Sequence, residues 1–210
     1  MQLSEQHCDL LSQPFYQFVQ LKQYCPEQIE PLKAAYKAAW QDWRETVNAA
    51  AQVLGAPFAP PHIERWCNGW QVRAHFFAFL KYAHYQDSAA ILSLLLNRRR
   101  LTVSLDWHAH RADRSAYTLA DYQNGFIALD KKRFADFEFW RDSEGEYADY
   151  ITVNQLPENG LPLRDQQDFY CIGKHIAKEN LADTNAVVWI ADTVRDLLPL
   201  YEACHIQTDK

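Results

Sequence analysis

The chain has 210 residues, 48% of them hydrophobic and 14% aromatic, which excludes a disordered polypeptide and gives enough material for one large domain. A net charge of −6 opposes bulk attraction to nucleic acid or anionic lipid, so such binding needs a local patch. The cysteines at 8, 25, 67, 171 and 204 form no C-x-x-C pair, and residues 1–15 carry no basic-then-apolar leader. Both features predict reduced thiols in a soluble, cytoplasmic protein.

Helices lead. Ser12 is placed to cap a short helix with Pro14 near its start and Phe15, Phe18 and Val19 on one face. Leu32, Tyr36, Ala39, Trp40, Trp43, Val47, Ala50 and Leu54 recur at three- and four-residue spacing and predict a long helix over 31–54. Gly55 ends it, and 57–61 reads as a loop. Asn68-Gly69 predicts a hairpin turn, and the alternation Trp70, Val72, Ala74, Phe76, Ala78, Leu80 predicts the strand after it; a helix over 73–85 is the alternative.

Residues 91–96 are apolar on both faces and predict a central strand, too short to span a bilayer. After a basic turn at 97–100, Leu101, Val103, Leu105 and Trp107 alternate with Thr102, Ser104, Asp106 and His108. Thr118 and Asp121 form a capping box opening a helix through Tyr122 and Phe126. Segments 135–140 and 147–153 predict a second hairpin, and 156–163 a surface loop. Residues 169–176 fit a strand or a helical turn alike. Val187, Ile190, Ala191, Val194, Leu197, Leu198 and Tyr201 predict a last amphipathic helix, capped near Asp183 or Thr184 and kinked or restarted at Pro199. The sum is an α+β fold in a single domain, 1–210. Its helical part is 1–55, its mostly antiparallel sheet (a meander with hairpins) is 62–153, and its C-terminal helix is 183–205.

Chemistry concentrates after the alternating strand. If that strand continues, Asp106, His108 and His110 project from one face and are candidate ligands of a divalent metal. The string Leu105-Asp106-Trp107-His108-Ala109-His110 resembles the first metal-binding motif of the PHP phosphoesterases and of the amidohydrolases, where His-x-His ends a strand. Those families place it near the start of a βα barrel and add later His and acidic ligands. Here it is mid-chain and only His175 and His205 follow, so their activity is not carried over. Without metal, Ser104, Asp106 and His108 could form a hydroxyl–imidazole–carboxylate set, although no G-x-S-x-G elbow is present. The alternative to both is a solvated polar strand face.

Arg98, Arg99, Arg100, Arg111 and Arg114 lie within 18 residues of one another, and Arg73 joins them if its strand pairs nearby. Arginine forks suit phosphate or carboxylate groups, with Trp107 or Tyr117 available for stacking. The alternative is a solvated turn matched by the acidic stretch 130–149. Gly173-Lys174 lacks phosphate-loop spacing, and Cys171 reads as a small packed hydrophobe.

Three functions follow. The first is a non-catalytic protein binding nucleic acid or another anionic partner through an aromatic and arginine-lined surface. The second is a metal-dependent phosphoesterase or nuclease, and the third a structural subunit. The aromatic load predicts a homo-oligomer, a homodimer being the simplest; no membrane partner is expected.

Overall fold

A computed structural model of the chain describes residues 2–127 and 129–207. The strongest helical period in the sequence becomes the longest helix, α3 (Ile29–Leu54), which Gly55 ends at φ 67°. Its stripe of Tyr36, Ala39, Trp43, Val47 and Ala50 is buried, and Pro31 sits in the first turn, where a missing N–H costs nothing. The predicted first helix differs: Ser4 caps α1 (Glu5–Leu10), and α2 is Phe18–Tyr24. Ser12 and Pro14 fall in the connection. Pro14 disfavours helix before it, and Gln17 is extended (ψ 132°) and bridges Gln71.

Seven strands form one antiparallel sheet in the order β1-β2-β3-β4-β7-β5-β6. They are β1 (His62–Ile63), β2 (His75–Leu80), β3 (Ala90–Asn97), β4 (Arg100–Trp107), β5 (Glu138–Arg141), β6 (Ile151–Thr152) and β7 (Tyr170–Ala177). Flanked by α3 and by the C-terminal helix α5 (Ala186–Ala203), this is the α+β architecture read from the sequence. The open choice over 169–176 resolves to strand, β7 pairing with β5 from Glu138↔Gly173 to Arg141↔Tyr170.

Two strand expectations change. The strand predicted from Trp70 begins only at His75, because Trp70 and Val72 bond instead to the 16–18 segment (Phe18 N–H to Trp70 O 2.9 Å, Val72 N–H to Tyr16 O 3.0 Å). Trp70 is left 82% exposed. The polar face of β4 is not solvated: Thr102 and Ser104 are buried along with Leu101, Val103 and Leu105, so both faces of the strand are covered. The Thr118–Asp121 capping box opens α4 (Leu119–Asn124), shorter than expected, and α5 runs on through Pro199.

The chain divides into two compact units, one of Met1–Leu80, Leu94–Thr102 and His175–Ala191, the other of Lys81–Ser93, Val103–Lys174 and Asp192–Lys210. In the first, α3 packs on β2, and Lys178 bridges Glu5 and Asp9 of α1 at 3.1 and 2.7 Å. The second holds every residue of the candidate site. Among the described residues no helix is long and apolar enough to cross a membrane.

Candidate functional site

The site begins where β4 ends. The strand predicted to reach His110 stops at Trp107; the His108 N–H still bonds to Ala89 O at 2.8 Å, but His108 itself leaves extended geometry with ψ 79°. The chain then enters 3-10 turns over Ala109–Arg114, with Arg111 N–H on His108 O at 2.8 Å. His110 therefore leaves the strand face that would have set it above Asp106 and His108. The two histidine rings lie edge to face, 6.2 Å apart. Among the described residues no three His, Cys, Asp or Glu side chains are grouped so as to hold a metal ion.

Asp106 has other partners. Its Oδ1 accepts the Trp107 N–H at 2.7 Å and the Cys171 thiol at 3.4 Å. Burial pushes the Asp106 carboxyl up to about 6, with the Asp142 carboxylate adding to it, against those two hydrogen bonds. Burial also raises Cys171 well above the ordinary thiol range, so Cys171 is an inert thiol. Ser104 lies against the gap at Gly173 rather than at the head of a catalytic set.

The arginines are split by the same strand. Arg98, Arg99 and Arg100 form the β3–β4 turn, where Asn97 Oδ1 accepts the N–H groups of Arg99 (2.8 Å) and Arg100 (3.1 Å). Arg111 and Arg114 follow β4 in the chain, within the second unit. Arg73 pairs with Glu64 at 3.4 Å.

Arg111 and Arg114 instead line a cleft of about 370 Å³ together with Lys81, Ser88 and His110. Two backbone bonds (His108 N–H to Ala89 O, Ala116 N–H to Asp87 O, both 2.8 Å) and Ala89 N–H to Ser115 Oγ at 2.9 Å clamp its two walls. Lys81 is only 4% exposed, and its Nζ donates to the carbonyls of Gln86 (3.1 Å) and Ser88. Its pKa is lowered, by burial first and by the Arg111 guanidinium second, while Asp87 opposes the shift. Asp87 and Asp113 also line the cleft, so three fixed cations outnumber two carboxylates in a protein of net charge −6.

Behind Ser88 lies a buried pair that no local pattern announces. His205 Nδ1 is 2.6 Å from Tyr201 O, and His205 Nε2 is 2.8 Å from Ser88 Oγ. The imidazole stacks on Tyr85 (3.8 Å, 2°) and meets Tyr117 and Tyr201 edge-on at 4.8 and 4.6 Å. Burial first, and then Lys81 and His84, lower its pKa to about 4 against the Tyr201 carbonyl bond.

A protein-family model matches residues 3–204 of the chain. A Haemophilus influenzae (strain ATCC 51907 / DSM 11121 / KW20 / Rd) protein described as "Uncharacterized protein" is 50% identical over 205 residues, covering 98% of this chain and 99% of that one. The chain belongs to this family. The family match takes in the cleft and Ser88 and ends one residue before His205.

Sequence reasoning singled out Arg111, Arg114 and His110, which line one cleft with Lys81 and Ser88. Lys81 and Ser88 were missed because neither carries a motif. The Ser88–His205 bond closes over 117 positions, and the Asp106–Cys171 bond over 65. No spacing rule reaches that far.

Proposed function

We propose that this protein binds a small anionic ligand, a phosphate- or carboxylate-bearing molecule, in the cleft of Lys81, Arg111 and Arg114. The observation that carries the reading is a cleft whose lining sets Lys81, only 4% exposed, with Arg111 and Arg114, three cations against the carboxylates of Asp87 and Asp113. Like charges held together out of water repel, and an anion between them removes that cost. The volume of about 370 Å³ suits a small molecule better than a polynucleotide, whose contacts would need an extended basic track.

Titration with inorganic phosphate at low salt tests this. Saturable binding is expected, weakened about 10-fold or more by Arg111→Ala, since a charge-assisted hydrogen bond contributes roughly 1.5–3 kcal/mol. Arg98→Ala, at the other end of β4, is expected to change nothing. Absent binding, or equal loss in both variants, would overturn the reading. Tight oligonucleotide binding with a steep salt slope would replace it with a nucleic-acid interface.

A further inference from the structure

We propose that Ser88 is a nucleophile that takes an acyl group from an anionic acyl donor, an acyl phosphate, with His205 as its base. The inference rests on the anion-binding reading of the cleft. Its first support is the tautomer of His205. The Tyr201 carbonyl can only accept, so Nδ1 carries the ring proton, and Nε2 is left to accept. Its partner at 2.8 Å is Ser88 Oγ, whose hydroxyl must then donate to it.

This is the polarity a serine nucleophile needs: hydroxyl to imidazole, with the far ring nitrogen held by a fixed acceptor. Here a backbone carbonyl does the holding. The ring cannot turn away, because Tyr85 stacks on it and Tyr117 and Tyr201 close the sides. Ser88 Oγ also accepts the Ala90 N–H at 3.1 Å, which fixes the hydroxyl rotor.

The second support is location. Ser88 lines the basic cleft, and its carbonyl is held by the Lys81 ammonium, so the nucleophile stands beside the cations that would hold the donor's phosphate. A pair serving only to satisfy two buried polar groups has no need of a charged cleft beside it. Ser88 borders the cleft and is 2% exposed, which keeps bulk water from Oγ. An imidazole whose pKa is near 4 is a weak base, which matches donors with a good leaving group such as an acyl phosphate.

In the step, Ser88 Oγ bonds to the acyl carbon and its proton passes to His205 Nε2. The bond from that carbon to the phosphate oxygen breaks, and phosphate leaves with the electron pair and takes the proton from His205. The product is an ester at Ser88 and free inorganic phosphate, and the imidazole returns to its starting state.

The test uses the full chain with acetyl phosphate, followed by intact mass and peptide mapping. One acetyl group on Ser88, removed by neutral hydroxylamine as an ester is and a lysine amide is not, is the expected result. His205→Gln should slow its formation at least about 10-fold, within the usual reach of general-base catalysis, with the circular dichroism spectrum retained. Should His205→Gln fail to fold, mapping of the unaltered chain still decides. No ester at Ser88 in a protein that binds inorganic phosphate overturns this inference and leaves the anion site standing. No ester and no phosphate binding overturns both.

Discussion

Gly173→Ala is expected to destabilise the protein by about 3 kcal/mol or more, seen as a fall in Tm of roughly 10 °C or as failure to accumulate folded chain. A methyl group there would stand 2.8 Å from Ser104 Cβ, 2.9 Å from Ser104 Cα, and closer still to the Val103 carbonyl. Two of those three neighbours are backbone atoms of β4, so the strain cannot be relieved by turning a side chain. Replacing glycine by alanine also removes unfolded-chain entropy, a gain of about 0.4–1 kcal/mol, which is too small to compensate. Gly160→Ala gives the contrast. It has nothing within 4 Å of the added carbon but a φ of +69°, so a cost of only about 1–2 kcal/mol is expected. Equal melting temperatures for the Gly173→Ala variant and the parent would show that β7 and β4 do not approach as described.

The second large effect is a change in the shape of the pH–stability curve. The folded-state pKa of Asp106 is raised, so the folded chain holds that proton more tightly than the unfolded one. Its contribution is present below about 4 and is lost as pH rises through about 6. His205 works the other way: its folded pKa is depressed to about 4, so stability is lost as pH falls from about 6.5 toward that value. Each shift of about two units corresponds to an order of 3 kcal/mol, so the two slopes oppose each other over nearly the same window.

Asp106→Asn removes one of them. Asparagine keeps an oxygen for the Trp107 N–H and cannot ionise. Urea denaturation should find the variant more stable than the parent at pH 8, by up to about 3 kcal/mol, and nearly equal at pH 4. Its stability should then fall steadily with acid, with Asp136 and Asp168 adding to the slope because both carboxyls titrate low in the fold. Asp136 is held down by Lys174, whereas Asp168 is pushed up by burial but held low by N–H and hydroxyl donors from Arg164, Ser143 and Phe169. A constant difference between variant and parent at every pH would refute the assignment of the raised carboxyl to Asp106.

The elements were legible where a local rule suffices. The α3 period, the Gly55 stop and the Thr118–Asp121 capping box each depend on residues within a turn or two of one another, and each formed where the pattern placed it. The alternation of β4 showed that 101–107 is a strand, but alternation cannot say whether both faces are covered. Thr102 and Ser104 are buried, so both faces of β4 are covered, and that depends on what packs against the sheet.

The run Asp106-Trp107-His108-Ala109-His110 shows the same boundary within five residues. Its first two positions obey the strand period. After His108 the chain turns away, the Arg111 N–H closing on the His108 carbonyl at the start of the 3-10 segment. The sequence by itself determined the α+β class, the longest helix and the basic character of the segment after β4. Only the tertiary structure decided that Arg111 and Arg114 share a cleft with Lys81, that Ser88 meets His205 and that Asp106 meets Cys171. The reason is range: periodicity, caps and turns are enforced by neighbours along the chain, whereas a cleft is made by contacts between segments whose separation no local energy records.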